Sequence, residues 1–131
     1  NQNTDNVHMK LPTTPVALQT IAMPADTNVN GDIFGGWLMA QMDLGASVPA
    51  RHRAKGRVAT VAVEGMTFLK PVLVGDLVSI HSEILKEGRT SLHIGGRRRV
   101  TRQPSGDRRK VTEARFIFVA VDSEGKKRDL P

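Results

Sequence analysis

Residues 28–45, NVNGDIFGGWLMAQMDLG, pass from turn-forming residues through the pair Gly35–Gly36 into a nearly all-apolar run holding one carboxylate, Asp43. A carboxylate removed from water costs on the order of several kcal/mol unless it is paired, hydrogen-bonded or kept for function. Two readings follow. Asp43 faces a solvent channel or caps a neighbouring backbone segment, or it works as a general base or nucleophile. Composition alone leaves both open.

The glycines bear on the choice. At a helix start, unpaired N–H groups and the positive end of the dipole converge on any oxyanion placed there. Without a Cβ, a carbonyl can approach that backbone closely. The competing reading is that the two glycines relieve helix–sheet packing. Gly35 and Asp43 are eight positions apart, about 12 Å along a helix axis. One chain's pair is too far apart to act on one carbonyl, whereas antiparallel helices in a dimer would bring Gly35 of one subunit near Asp43 of the other.

Other chemistries lack their residues. There is no GxSxG elbow, and the histidines at 8, 52, 81 and 93 show no metal-ligand spacing, so no metal site is expected. His81 and His93 read as strand residues; Trp37, Met39 and Met42 read as core. The absence of cysteine excludes a thiol nucleophile, a disulfide framework and cysteine-bound zinc, and fits a reducing compartment. No apolar run approaches the roughly 20 residues that span a bilayer. The opening NQNTDNVHMK lacks the apolar core of a signal peptide. A cytoplasmic protein with no membrane partner is expected. The net charge of +6 gathers in RRR (97–99) and RRK (108–110) around the turn-like QPSGD (103–107). Such clusters suit nucleic acid, a membrane surface or an anionic small molecule, or simply a solvated face.

At 131 residues the chain fits one domain with a modest core. Residues 1–15 read as a flexible lead-in, and Val16–Met23 as a short strand before the turn chemistry of PADTNVNGD. A helix is expected from about Gly35 to Val48, with Pro49 ending it. Its apolar residues surround the axis, so it should be buried on all sides. The remainder reads as strand: RVATVAVEGMTFLKPV is rich in β-branched residues, and in DLVSIHSEILKEG Val78, Ile80 and Ile84 alternate with Ser79, His81 and Glu83. EGRT (87–90) suggests a hairpin, Gly95–Gly96 a bulge or bend in the returning strand, and VTEARFIFVAVD a last strand with Ala114, Phe116, Phe118 and Ala120 on one face. The fold class is α+β: about five antiparallel strands in a long sheet curled around one buried helix.

The segments AMPADTNVNGDIFGGWLMAQMD, GRVATVAVEGMTFLKPVLVGD, EGRTS and TEARFIFVAVDSEGK closely resemble the YciA-type acyl-CoA thioesterases of the hotdog-fold superfamily, in family order and over about Leu18 to Pro131. The resemblance implies a single hotdog domain over 16–131 that hydrolyses acyl-CoA to free acid and CoA. It implies Asp43 as general base or nucleophile, Asn28 from the partner subunit holding the water or thioester, the Gly35 N–H polarising the carbonyl, and Thr60 orienting water. It further implies that Arg89, Lys70 and Ser91 contact CoA. No cofactor is required, because CoA is part of the substrate and leaves as product. The resemblance also implies a homodimer as the minimal active unit, assembled as a trimer of dimers. Many relatives carry a histidine just before the glycine pair; here that residue is Phe34, which excludes an imidazole there.

The chemistry is coherent. A thioester carbonyl attacked by water gathers negative charge that a helix N-terminus can stabilise, and a thiolate is a good leaving group. Two alternatives remain. A nucleic-acid-binding module has the charge, but no Tyr, one Trp and four Phe are few for base stacking. A CoA-binding sensor would bind without turnover.

Overall fold

The computed structural model describes residues 16–66, 71–102 and 105–131; Lys70 and the lead-in lie outside them. Five strands, β1 (Val16–Ile21), β2 (Val58–Glu64), β3 (Leu77–Glu87), β4 (Ser91–Arg102) and β5 (Asp107–Ala120), form one antiparallel sheet in the order β1-β3-β4-β5-β2. Among the described residues one α-helix, α1 (Gly35–Ala54), lies against it, and a single 3-10 turn, Pro24–Asp26, precedes it in the chain. The period-two pattern explains the inner face. Val78 and Ile80 of β3, Leu92, Ile94 and Val100 of β4, and Ala114, Phe116 and Phe118 of β5 are buried against Leu38, Met42, Ala46 and Ala50 of α1. These four helix residues recur every fourth position, so they form one stripe along the helix. Small residues bring the helix close: a Cβ on Gly45 would stand 2.5 Å from Ile80 Cγ2. The expected hairpin is present, with Gly88 N–H donating to Ser91 O at 2.8 Å.

Three expectations are corrected. The helix does not end before Pro49 but runs one and a half turns further, to Ala54, where Lys55 takes a left-handed conformation and its N–H donates to Arg51 O. Proline withholds the donor that Gly45 O would use; Ser82 Oγ supplies one instead, at 3.0 Å. Nor is the helix buried on all sides in the single chain. The sheet covers only one stripe, so Met39, Leu44 and Val48 remain exposed, which also removes Met39 from the core. Finally, Gly95 and Gly96 make no bulge. They pair in register with Glu83 and Ser82, and the irregularities fall at Ile84/Lys86 and Arg98/Arg99. Their smallness serves packing, since Leu85 lies 3.1 Å from where a Cβ of Gly95 would be. Among the described residues no helix is long and apolar enough to cross a membrane.

Candidate active site

Asp43 is half-buried, two residues before Gly45, where α1 rests on β3. Its partner comes from the sheet's edge. Thr60 sits opposite Phe118 in the β2–β5 pairing and shares its inward direction, so its hydroxyl reaches the helix and donates to Asp43 Oδ1 at 2.7 Å. An ionised carboxylate is an acceptor at both oxygens. With Oδ1 held by Thr60, Oδ2 is the atom left to receive a proton or to attack an electrophile. Thr60 itself is exposed, so the pair is open at the surface beside a sheet edge that is unpaired among the described residues. Asp43 and Thr60 are thus brought together within one chain.

The helix start carries the second element. Phe34 occupies the N-cap position and offers no side-chain acceptor, and the N–H groups of Gly35 and Gly36 have no acceptor among the described residues. Two donors at the positive end of the helix dipole are therefore available to an oxyanion. The preceding loop is ordered by Asn28. Its Oδ1 accepts the N–H groups of Asn30 at 2.8 Å and Asp32 at 3.2 Å, and its backbone closes the turn through Asn28 N to Asp32 O and Gly31 N to Asn28 O. Gly31 has φ +84°, a conformation glycine adopts without strain. Because Oδ1 accepts two N–H groups, the Nδ2 group is the side-chain donor that Asn28 can present outward. No hydrogen bond or ion pair among the described residues joins Asn28 or Gly35 to Asp43. As both lie in α1, Gly35 and Asp43 remain about 12 Å apart along the axis.

The basic residues separate. Arg89, in the β3–β4 turn, is 81% exposed at its side chain and meets Asp129 only at 3.5 Å, which leaves it free to take another anion. Ser91 opens β4 at the same turn. That turn lies by the C-terminal end of α1, since Arg53 of the helix pairs with Glu87 at 2.9 Å; Gly35 is 18 positions earlier, roughly 27 Å along the axis. Within one chain, Arg89 and Ser91 are not brought to the oxyanion donors.

Strand alternation divides the RRR run. Arg97 faces outward, 3.8 Å from Glu113. Arg98 points inward and is fully buried; loss of hydration lowers its guanidinium pKa to about 10. That run is therefore not one solvated face. For RRK the side chains lie outside the described residues.

Ser82 escaped the sequence reading. The signal was present: Val78, Ile80 and Ile84 define the inward parity of β3, and Ser82 is the polar residue on it. What gives it meaning is Pro49 on α1, which no local pattern connects to β3.

Comparison with known proteins agrees with this fold. The family model described as the thioesterase superfamily matches residues 30–100. The chain is similar to the acyl-CoA thioester hydrolase YciA of Salmonella typhimurium, with 56% identity over 88% of this chain and 90% of the relative. Among solved structures, a hexameric broad-specificity acyl-coenzyme A thioesterase superposes with TM-score 0.89 and 49% identity, covering 93% of this chain and 84% of that one. A hexameric thioesterase from Yersinia pestis gives TM-score 0.87 and 55% identity over 92% and 98%. With its five-stranded antiparallel sheet, its single long helix and this likeness along nearly the whole chain, the protein belongs to the thioesterase superfamily and has the hotdog fold.

Proposed function

We propose that this protein hydrolyses acyl-CoA thioesters at sites shared between two copies of the chain, with Asp43 as the reacting carboxylate. The observation that carries the reading is the Thr60–Asp43 hydrogen bond of 2.7 Å, which orients one carboxylate beside an open sheet edge. In the general-base route, Asp43 Oδ2 takes a proton from water as the water oxygen bonds to the thioester carbon. The carbonyl electrons move to oxygen, where the N–H groups of Gly35 and Gly36 stabilise the charge. The C–S electrons then leave with sulfur as the carbonyl re-forms, giving the acid and CoA. In the nucleophilic route, Oδ2 attacks the same carbon, the C–S bond breaks to release the CoA thiolate, and water hydrolyses the resulting anhydride to the free acid and the Asp43 carboxylate. Both routes need the same oriented carboxylate.

The shared site is supported by three features. The donors and Asp43 are too far apart in one chain. Among the described residues the outer edge of β2 is unpaired, and Val61 and Val63 on it are exposed, as are Met39, Leu44 and Val48 on α1; an open edge beside apolar residues invites another strand. Two solved neighbours are hexameric, for which a trimer of dimers is the simplest arrangement. Asn28 of the second copy, presenting Nδ2, would hold the water or the thioester oxygen. The reading invokes no cofactor or metal; CoA enters as part of the substrate. A panel of acyl-CoAs from short to long chains should release free thiol. Binding without thiol release would make the protein a CoA sensor, and salt-dependent binding of nucleic acid without either would return the basic residues to a nucleic-acid role.

For CoA itself, Arg89 and Ser91 are the described candidates and Lys70 a further one outside the described residues. Arginine pairs bidentately with phosphate oxygens, and the weak contact with Asp129 means that removing Arg89 disturbs little else. Arg89→Ala should raise KM for acyl-CoA on the order of 10-fold while leaving KM for an acyl-pantetheine, which lacks the nucleotide, nearly unchanged. Equal rises on both substrates would show instead that Arg89 holds the hairpin.

A further inference from the structure

We infer that Pro49 and Ser82 act as a coupled pair, with Ser82 a positioning residue for hydrolysis: its hydroxyl replaces the backbone donor that proline withholds and so fixes the stretch of α1 bearing Asp43. The functional half of this rests on the reading of Asp43 above; the pairing itself does not.

Residue 49 has no N–H, so Gly45 O, four residues earlier, loses its helical donor, and the proline ring crowds that same carbonyl. On an exposed helix face water would replace the donor. Here Gly45 is buried, and its backbone lies so close to β3 that a Cβ would fall 2.5 Å from Ile80 Cγ2 and 2.8 Å from Ile80 Cβ. A buried carbonyl without a donor is strongly disfavoured. Ile80 and Ser82 alternate on the inner face of β3, so one strand provides both the apolar floor under Gly45 and the hydroxyl that reaches its carbonyl at 3.0 Å. Ser82 is itself buried.

The break lies next to the reacting residue. Asp43 is held by Thr60 from β2, and Gly45, two residues on, by Ser82 from β3. These strands are separated in the sheet by β4 and β5. Two hydroxyls from opposite parts of the sheet therefore clamp helix positions two residues apart, beside the carbonyl from which proline has removed the internal bond. Releasing one lets the helix pivot on the other, which redirects Oδ2 relative to the thioester. Arg89 and Ser91, the residues proposed to meet CoA, stand on the β3–β4 turn and not on α1, so binding of CoA should change less than turnover.

A double-mutant cycle tests the pair on the intact chain. Ser82→Ala should lower kcat on the order of 10-fold, the scale of a small misplacement of a reacting group, with KM for acyl-CoA within about twofold, and lower Tm by several degrees. Pro49→Ala restores the N–H that Gly45 O lacks. In that background, removing the hydroxyl should change kcat by less than about twofold and Tm by about a degree at most. Equal Tm losses with and without Pro49 would overturn the pairing. Coupling in Tm without coupling in kcat would overturn Ser82 as a positioning residue. Should Ser82→Ala alone not fold, a folded and active Pro49→Ala/Ser82→Ala protein supports the pair, and an unfolded one refutes it. The Tm cycle does not involve Asp43, so it is still readable if Asp43→Asn proves active, an outcome that would remove the catalytic reading alone.

Discussion

Asp43→Asn is expected to lower kcat by at least about 10²-fold, the scale on which loss of a general base is felt, while fold and acyl-CoA affinity persist. The substitution is nearly isosteric. An asparagine Oδ1 can still accept the Thr60 hydroxyl now donated to Asp43 at 2.7 Å, so the link between α1 and the edge strand survives. What disappears is the second carboxylate oxygen, the atom proposed either to deprotonate water or to attack the thioester. Replacing it with an amide removes both capacities together. The measurement is thiol release under saturating acyl-CoA, with Tm and circular dichroism to establish that the variant is folded. Near-normal turnover by a folded variant would dismiss Asp43 as the reacting group.

The second large effect concerns the origin of the two halves of a site. If Asn28 and Asp43 of one site come from different chains, Asn28→Ala and Asp43→Ala homodimers are both nearly inactive, because every site lacks one partner. In a mixed dimer one site collects both defects and the other collects neither. Random pairing of equal amounts makes about half of the dimers mixed, each with one intact site of two, so about a quarter of the unmutated activity returns by the symmetry of an isologous interface. Exchange must be real, obtained by co-expression or joint refolding and verified by pull-down with two tags. Mixed dimers that form and stay inactive would place both residues' action within one chain. Asn28→Ala also removes the acceptor for the Asn30 and Asp32 N–H groups. The intact site of the mixed dimer controls for this, because the subunit contributing its Asn28 has an unaltered loop.

The parts of this protein that follow from neighbouring residues alone were legible in the sequence. Alternation in DLVSIHSEILKEG and VTEARFIFVAVD assigns the inward faces of β3 and β5, because a strand's side chains alternate by covalent geometry. The glycine pair marks the start of α1, and Asp43 declares itself as a lone charge in an apolar run. What the tertiary structure decided depends on atoms far apart in the chain. Proline stops a helix when the carbonyl it orphans finds no donor, and the donor for Gly45 O comes from Ser82 on β3, so the helix continues where its own sequence says stop. Arg98 reads as one of three surface cations, yet its strand position turns it into the core. The helix reads as apolar all round, but one sheet covers only one stripe, and the exposure of Met39, Leu44 and Val48 is a property of the single chain. Asp43 could be singled out without a structure; its partner, Thr60, and the direction of its free oxygen were fixed only when the edge strand and the helix met, because a hydrogen bond needs two groups at one place and the sequence orders them seventeen residues apart.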